Sequence, residues 1–178
     1  MILKSLPVLT TARLKLRQVT LDDDQEIFIM RSNNEVNKLV GRKNCESIEE
    51  ARDFIRKITA TEDKTGYYWA IDLISSNSLA GTICLFNFDD AKKKCEMGFE
   101  LLPDFQGQGI MKEAAERVID FVFQILNLNE IDGYTHPANS KSIKILERLK
   151  FRKLPESDQV VSEYIIYSLT KSDLQIAG

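Results

Sequence analysis

The sequence predicts a mixed α/β fold on a mostly antiparallel central sheet, and three observations carry that expectation. Three β-rich runs, GYYWAIDLI, LAGTICLFNF and KCEMGFELL, are separated by the turn-forming SSNS and the charged DDAKKK, the pattern of an antiparallel meander. A long amphipathic helix follows them. Met111, Ala114, Ala115, Val118, Phe121, Val122 and Ile125 recur at helical spacing, while Lys112, Glu113, Glu116, Arg117 and Asp120 take the other face. Finally, helices and strands interleave without the strict βαβ repeat of a doubly wound sheet.

Taken in order, ARLKLRQV alternates Leu14 and Leu16 with charged residues, which predicts a half-buried first strand over Arg13 to Val19. Two helices are expected next. DDDQEIFIMRS places carboxylates ahead of an apolar cluster, and SIEEARDFIRKI carries Ser47 and Glu50 as a capping box. The meander and the long helix come after these. EIDGYT then reads as a short buried fifth strand, NSKSIKILERL as a helix, and FRKL and SEYIIYSL as the last strands. With 178 residues, 43% of them hydrophobic, and no linker or repeat, residues 1–178 form one domain with a core of its own.

Composition narrows the function. A net charge of −3 and a pI near 5.3 lack the basic excess that nucleic-acid or anionic-membrane binding needs, so neither is an expected partner. Cys45, Cys84 and Cys95 show no metal spacing and suit reduced thiols in a cytoplasmic protein, so no disulfide and no metal are expected. The apolar run in MILKSLPVLTTARLKLR is too short for a signal sequence, and nowhere do about 18 apolar residues run together. Oligomeric state leaves no signature.

The stretch LPDFQGQGIMKEA joins the fourth strand of the prediction to the long helix. Gly107 and Gly109 let the backbone take positive φ and approach a ligand closely, and the unpaired amides of a helix start favour phosphate oxygens. The same pair of glycines also suits a plain strand-to-helix turn. No Lys-Ser/Thr follows as in a Walker loop, and Lys112 stands where a dinucleotide-binding loop needs a third small residue.

In CEMGFELLPDFQGQGIMKEA this stretch resembles the pyrophosphate loop of the GNAT superfamily of acetyl-CoA-dependent N-acetyltransferases. With TARLKLRQVTLDD and HPANSKSIKILERLKF, in the family's order and spacing, the chain resembles the ribosomal-protein-alanine (Rim-like) branch over nearly its whole length. The resemblance implies the GNAT acyltransferase fold, in which the fourth and fifth strands splay apart and admit the pantetheine arm. It further implies backbone contacts to that arm from Phe99, Leu101 and Leu102, and a phosphate cradle from Gln106, Gly107, Gln108, Gly109, Ile110 and Met111. Asn139 would lie against the pantetheine and Ser142 near the thioester sulfur, which makes Ser142 a catalytic candidate, although Asn139 at a helix start is also a good N-cap.

Three positions depart from the pattern. Asp104 stands where an Arg or Gln is usual, and Leu146 where many members carry a proton-donating tyrosine. Lys150 replaces a glycine, at a cost of roughly 1 kcal/mol if the position stays left-handed.

An amine acceptor arrives protonated, so a proton acceptor or a water path is required. Glu96 and Glu100 share one face of the fourth strand, opposite Met97, Phe99 and Leu101, but four residues at about 3.3 Å place them roughly 13 Å apart, too far for a coupled pair. By the resemblance, Glu96 matches the position that some members of the family use as a general base through water and is the candidate base. Glu100, nearer the cofactor by the same resemblance, is a candidate for binding the amine; both also fit solvated or salt-bridged strand glutamates. His136, the only histidine, reads as turn geometry in His-Pro-x-Asn, and Lys92 to Lys94 as a solvated turn. Tyr67, Tyr68 and Trp69 are half-core strand residues, one of which could line an acceptor pocket.

Two function classes stay open. One is an N-acetyltransferase acting by direct attack in a ternary complex on a primary amine, either a protein N-terminus or a small amine. The other is a non-catalytic acyl-CoA-binding or ligand-sensing module. The acidic net charge favours a cationic acceptor.

Overall fold

The computed structural model describes residues 5–60, 66–155 and 163–175. Its sheet has eight strands in the order β1-β2-β3-β4-β5-β6-β8-β7, every adjacent pair antiparallel except β5 with β6. A two-residue strand β1 (Leu9–Thr10) precedes the first strand of the prediction, which is β2 (Leu14–Gln18). The meander is β3 (Gly66–Leu73), β4 (Ser78–Asp89) and β5 (Lys94–Leu101), followed by helix α4 (Ile110–Asp120), which runs on into a π-helical turn at Phe121–Ile125. EIDGYT forms β6 (Glu130–Thr135), α5 is Ser140–Arg148, and β7 (Arg152–Lys153), β8 (Ile165–Thr170) and the short α6 (Lys171–Gln175) are the last described elements. The beginning of the expected last strand, at Ser162, lies outside the described residues.

Among the described residues three α-helices, not two, stand between β2 and β3: α1 (Asp24–Ser32), α2 (Asn34–Val40) and α3 (Ile48–Thr59). The additional α2 is stabilised by its ends. Asn33 accepts hydrogen bonds from the Glu35 and Val36 amides, and Gly41 closes the helix at φ 63°. Ser47 caps α3 through the Glu50 amide, but the Glu50 carboxylate accepts from Glu46 rather than Ser47, so only half of the predicted capping box forms.

The sheet buries both faces. On one, Leu14, Leu16, Trp69, Ile83, Leu85 and Met97 pack against Ile110, Met111, Ala114 and Val118 of α4, together with Leu146 of α5. On the other, Val19, Ala70 and Leu79 meet Ile27 and Met30 of α1 and Ala51 and Ile55 of α3. At the edge of this second layer, Arg17 bridges the Asp23 and Asp72 carboxylates at 2.7 and 2.6 Å, fastening the start of α1 to β2 and β3. Among the described residues no helix is long and apolar enough to cross a membrane.

Candidate active site

The site begins where β5 leaves β6. The two strands pair only through Lys94 with Glu130, Cys95 with Ile131 and Glu96 with Asp132, after which β6 stays with β8 and the outer edge of β5 is free from Met97 onward. The Leu102 amide donates to Ala80 in the loop-to-β4 direction at 2.9 Å. Alternation along the strand therefore turns the amides and carbonyls of Phe99 and Leu101 to the opposite side, into the opening. The Leu101 carbonyl accepts from Gln106 Nε2 at 3.1 Å. Leu102 stands apart from these two: its amide is spent on Ala80 and its side chain is buried in the second core. On the far side of the opening, Leu146 lies flat on Gly133, where a Cβ would come within 2.9 Å of its Cδ2. Leu146 is thus a packing residue.

The glycine loop follows directly. Gly107 and Gly109 take φ values of 77° and 76°, so both need glycine for backbone conformation; a Cβ at Gly107 would meet nothing within 4 Å, and one at Gly109 only Arg13 Nη2 at 3.6 Å. The six amides from Gly107 to Lys112 have no hydrogen-bond acceptor among the described residues. They stand at the amino end of α4, whose buried Ile110 and Met111 side chains fix its first turn in the core. Gln106 differs: its amide donates to Pro103 and its Oε1 accepts from Lys141 Nζ at 2.8 Å. Arg13 approaches from β2 and donates to the Gln108 carbonyl at 3.2 Å. Unpaired amides at a helix start with two cations alongside fit a pyrophosphate, and Arg13 and Lys141 supply positive charge that Asp104 does not.

Across the fork, Asn139 caps α5 by accepting from the Ser142 amide at 3.1 Å, while its own amide donates to His136. The Asn139 Nδ2 and the Ser142 hydroxyl have no partner among the described residues. His136 Nδ1 accepts from the Ala138 amide at 3.1 Å, so the imidazole is engaged in the turn. Thr135 Oγ1, buried at the end of β6, is also without a partner among the described residues.

Glu96 sits at the fork itself, half-buried, accepting from Asn87 Nδ2 at 3.0 Å. Burial raises its carboxyl above the usual carboxylate range and the Asp132 charge adds to this, against the Asn87 hydrogen bond and the Lys94 charge. Asp132 is buried and bound by Lys94 Nζ at 2.6 Å. Lys94 therefore departs from the expected solvated lysine turn: the parallel register carries it to Asp132, whereas Lys92, near Asp89, and Lys93 are exposed in the turn as expected. Burial, and then the nearby Glu96 and Asp132 charges, also raise the phenol of Tyr134, two residues along β6.

Glu100 is fully engaged. Arg42, just past α2, donates to both of its oxygens at 2.8 and 2.7 Å and is itself oriented by Asn37 Oδ1. Of the three aromatic residues on β3, Tyr67 and Trp69 lie in the core, whereas Tyr68 is on the Glu96 face, edge-on to Phe54 of α3 at 6.3 Å. Sequence reasoning missed Arg31 of α1 and Arg42 just past α2 on this side of the sheet, and Arg13 and Glu113 beside the glycine loop. The only local signal was the Asn33 and Gly41 pair that bounds α2 and so places Arg42.

Residues 13–152 match the family model described as an acetyltransferase (GNAT) domain. The uncharacterized N-acetyltransferase YoaA of Bacillus subtilis is 31% identical over 171 residues, covering 96% of this chain and 94% of its own. Among solved structures, the spermidine N-acetyltransferase of Vibrio cholerae, in complex with CoA and spermine, superposes with a TM-score of 0.78 at 19% identity, covering 93% of this chain and 99% of that one. The ribosomal-protein-S5-alanine acetyltransferase of Vibrio fischeri gives 0.75 at 20% identity over 94% and 98% of the two chains. By the family match and the near full-length relative, this chain belongs to the GNAT acetyltransferases, enzymes that take their acetyl group from acetyl-CoA.

Proposed function

We propose that the protein acetylates a primary amine by direct attack in a ternary complex, with the amine on the Glu96 face of β5. The observation that carries this reading is the position of Glu96, the last β5 residue paired with β6 before the two strands part. Acetyl-CoA supplies the electrophilic thioester carbonyl. The Gly107 to Met111 amides, with Arg13 and Lys141 beside them, hold the pyrophosphate, and the free edge at Phe99 and Leu101 pairs with the pantetheine amides. Asn139 Nδ2 donates to a pantetheine carbonyl while its Oδ1 keeps α5 capped. Glu96 takes the proton of the incoming ammonium, directly or through one water; its raised proton affinity brings it closer to an effective base at neutral pH. Since Leu146 is buried, the Ser142 hydroxyl is the group offered to the departing sulfur. The three free cysteines suit a reducing cytoplasm.

The experiment is a thiol-release assay with acetyl-CoA and a panel of peptide N-termini, polyamines, amino sugars and small amino metabolites. Amine-dependent release is the expected result. Tight acetyl-CoA binding without release from any amine would replace the enzyme by a non-catalytic acyl-CoA-binding module.

A further inference from the structure

The face of the sheet that receives the amine carries a cation with no carboxylate of its own. Arg31, near the end of α1, is half-buried, and its guanidinium carbon stands 3.7 Å over the Phe54 ring. Phe54 meets Tyr68 edge-on; Tyr68 is in register with Cys84, and Cys84 with Gly98, the residue midway between Glu96 and Glu100. The Cys84 thiol donates to the Gly98 carbonyl at 3.5 Å, so a chain of contacts and strand pairings leads from Arg31 to β5. The backbone beneath Arg31 is fixed: its carbonyl accepts from the Cys45 amide at 2.8 Å and from Asn37 Nδ2 at 2.7 Å.

At contact distance Arg31 lacks, among the described residues, the carboxylate partner that Arg42 has. Glu100 gives both oxygens to Arg42, and Arg42 also donates to the Met30 carbonyl, next door to Arg31. The Arg31 guanidinium makes no hydrogen bond or ion pair among the described residues. With Glu100 held by Arg42, the Arg31 guanidinium is left without a carboxylate in contact among these residues, and arginine does not relieve this by losing its proton. Burial and the Arg42 charge work against the Arg31 cation, which the Glu100 charge only partly offsets. A planar fork of donors stacked on an aromatic ring is the arrangement that takes a carboxylate two-pronged.

Resting on the reading of this face as the acceptor side, we propose that Arg31 binds a carboxylate of the acceptor, so that the preferred substrate is an amine that also bears a carboxylate. The amine stands toward Glu96 and the carboxylate toward α1. Two strand spacings, about 10 Å together, separate the Tyr68 strand from β5, so amine and carboxylate are several bonds apart. A second ammonium in place of the carboxylate meets Arg31 instead. The chain's net charge of −3 acts from screened surface positions and does not outweigh a desolvated cation at contact.

The test compares acceptors of one length and different charge: 5-aminopentanoate, its neutral amide and 1,5-diaminopentane, with the 3- to 7-carbon amino acids as a length series. A second arm compares peptides with Glu or Gln at the second position, to separate a free amino acid from a peptide as the source of the carboxylate. The expected result is a kcat/KM for the carboxylate about tenfold or more above that for the amide, the worth of one charge-assisted hydrogen bond, with the diamine lowest. In Arg31→Gln the carboxylate-to-amide ratio falls to about one. Equal or better turnover of the diamine by the wild type overturns the proposal while leaving the acetyltransferase intact, as does an unchanged ratio in Arg31→Gln. If no amine releases thiol, the acetyltransferase reading fails on its own. Calorimetry of 5-aminopentanoate and 1,5-diaminopentane in the presence of CoA then decides the charge preference, tighter diamine binding overturning it.

Discussion

Arg13 holds Glu113 from a hundred residues away in the chain: its Nε lies 2.6 Å from Glu113 Oε2, and its backbone amide donates to Oε1 at 3.1 Å. Thr11 adds its hydroxyl to Oε1, and the Arg13 guanidinium reaches on to the Gln108 carbonyl. One carboxylate in the first turn of α4 thus ties the start of β2 to the glycine loop. Burial pushes the Glu113 carboxyl up, but the hydrogen bonds from Thr11 and Arg13, with the Arg13 charge, outweigh it and hold the group below the usual carboxylate range.

Glu113→Gln removes this clasp. The expected loss is about 1 kcal/mol, or ~3 °C in Tm, together with weaker acetyl-CoA binding because the loop is less fixed. Since the folded-state pKa is depressed, the ionised group stabilises the fold above its unfolded value, and that contribution disappears as pH falls through the folded one. The difference in Tm between wild type and Glu113→Gln should therefore be full at pH 7 and shrink below about pH 4. A difference that does not change with pH would make the clasp a matter of packing alone.

The loop can be probed by charge at constant shape. Asn and Asp both tolerate the left-handed conformation of Gly109 better than other residues, and the space for a Cβ is open there, so Gly109→Asn and Gly109→Asp carry similar strain. Only the aspartate repels a pyrophosphate and competes for Arg13. Calorimetry with acetyl-CoA should show Gly109→Asp binding about tenfold or more weaker than Gly109→Asn. Equal affinities in two folded variants would move the phosphate site elsewhere.

Lys150 keeps the left-handed conformation that the sequence pattern anticipated, at φ 70°, with the Phe151 amide donating back to Leu146 at 3.0 Å. Its side chain is exposed, so Lys150→Gly releases backbone strain without losing a packed group. The variant should melt ~2–4 °C higher, the effect of about 1 kcal/mol in a domain of this size. A fall in Tm would mean that the added freedom of glycine in the unfolded chain outweighs the strain.

Elements whose periodicity is long and local were legible from the sequence: α4 from its apolar stripe, the meander from its turns, and β6 as EIDGYT. α2 was not. NNEVNKLV has too few apolar positions for a helical stripe, and its stability comes from Asn33 and Gly41 at its ends. Within the site, the loop glycines and Asn139 were legible because local geometry demands those residue types. Glu100 could be read as either a free or a paired carboxylate because its partner, Arg42, stands 58 residues away on an element that only the fold brings near. Lys94 looked like one of three turn lysines because its pairing with Asp132 depends on the single parallel register in the sheet. Charge pairing across distant elements carries no sequence periodicity; that is why Arg31 and Arg42 stand out only in the structure.

Substitution of Glu96 tests whether the fork does chemistry. If it removes the ammonium proton, Glu96→Gln keeps the Asn87 hydrogen bond and acetyl-CoA affinity while lowering turnover by about 10² to 10⁴. The defect should shrink as pH rises toward the pKa of the amine, where free base is already abundant. Wild-type kcat/KM should in turn fall on the acid side with a pKa above the ordinary glutamate value, because burial and the Asp132 charge favour the protonated form. Asp132→Asn removes that charge and should move the acid limb to lower pH. Stability gives an independent check of the same shift. A carboxyl whose folded pKa is raised binds more protons in the folded state, so its contribution to stability falls as pH climbs through that window, and Glu96→Gln should melt no lower than wild type at pH 7. Wild-type turnover in Glu96→Gln at neutral pH would take the residue out of catalysis and leave a water chain as the acceptor. A defect of equal depth at every pH would make Glu96 a residue that positions the amine.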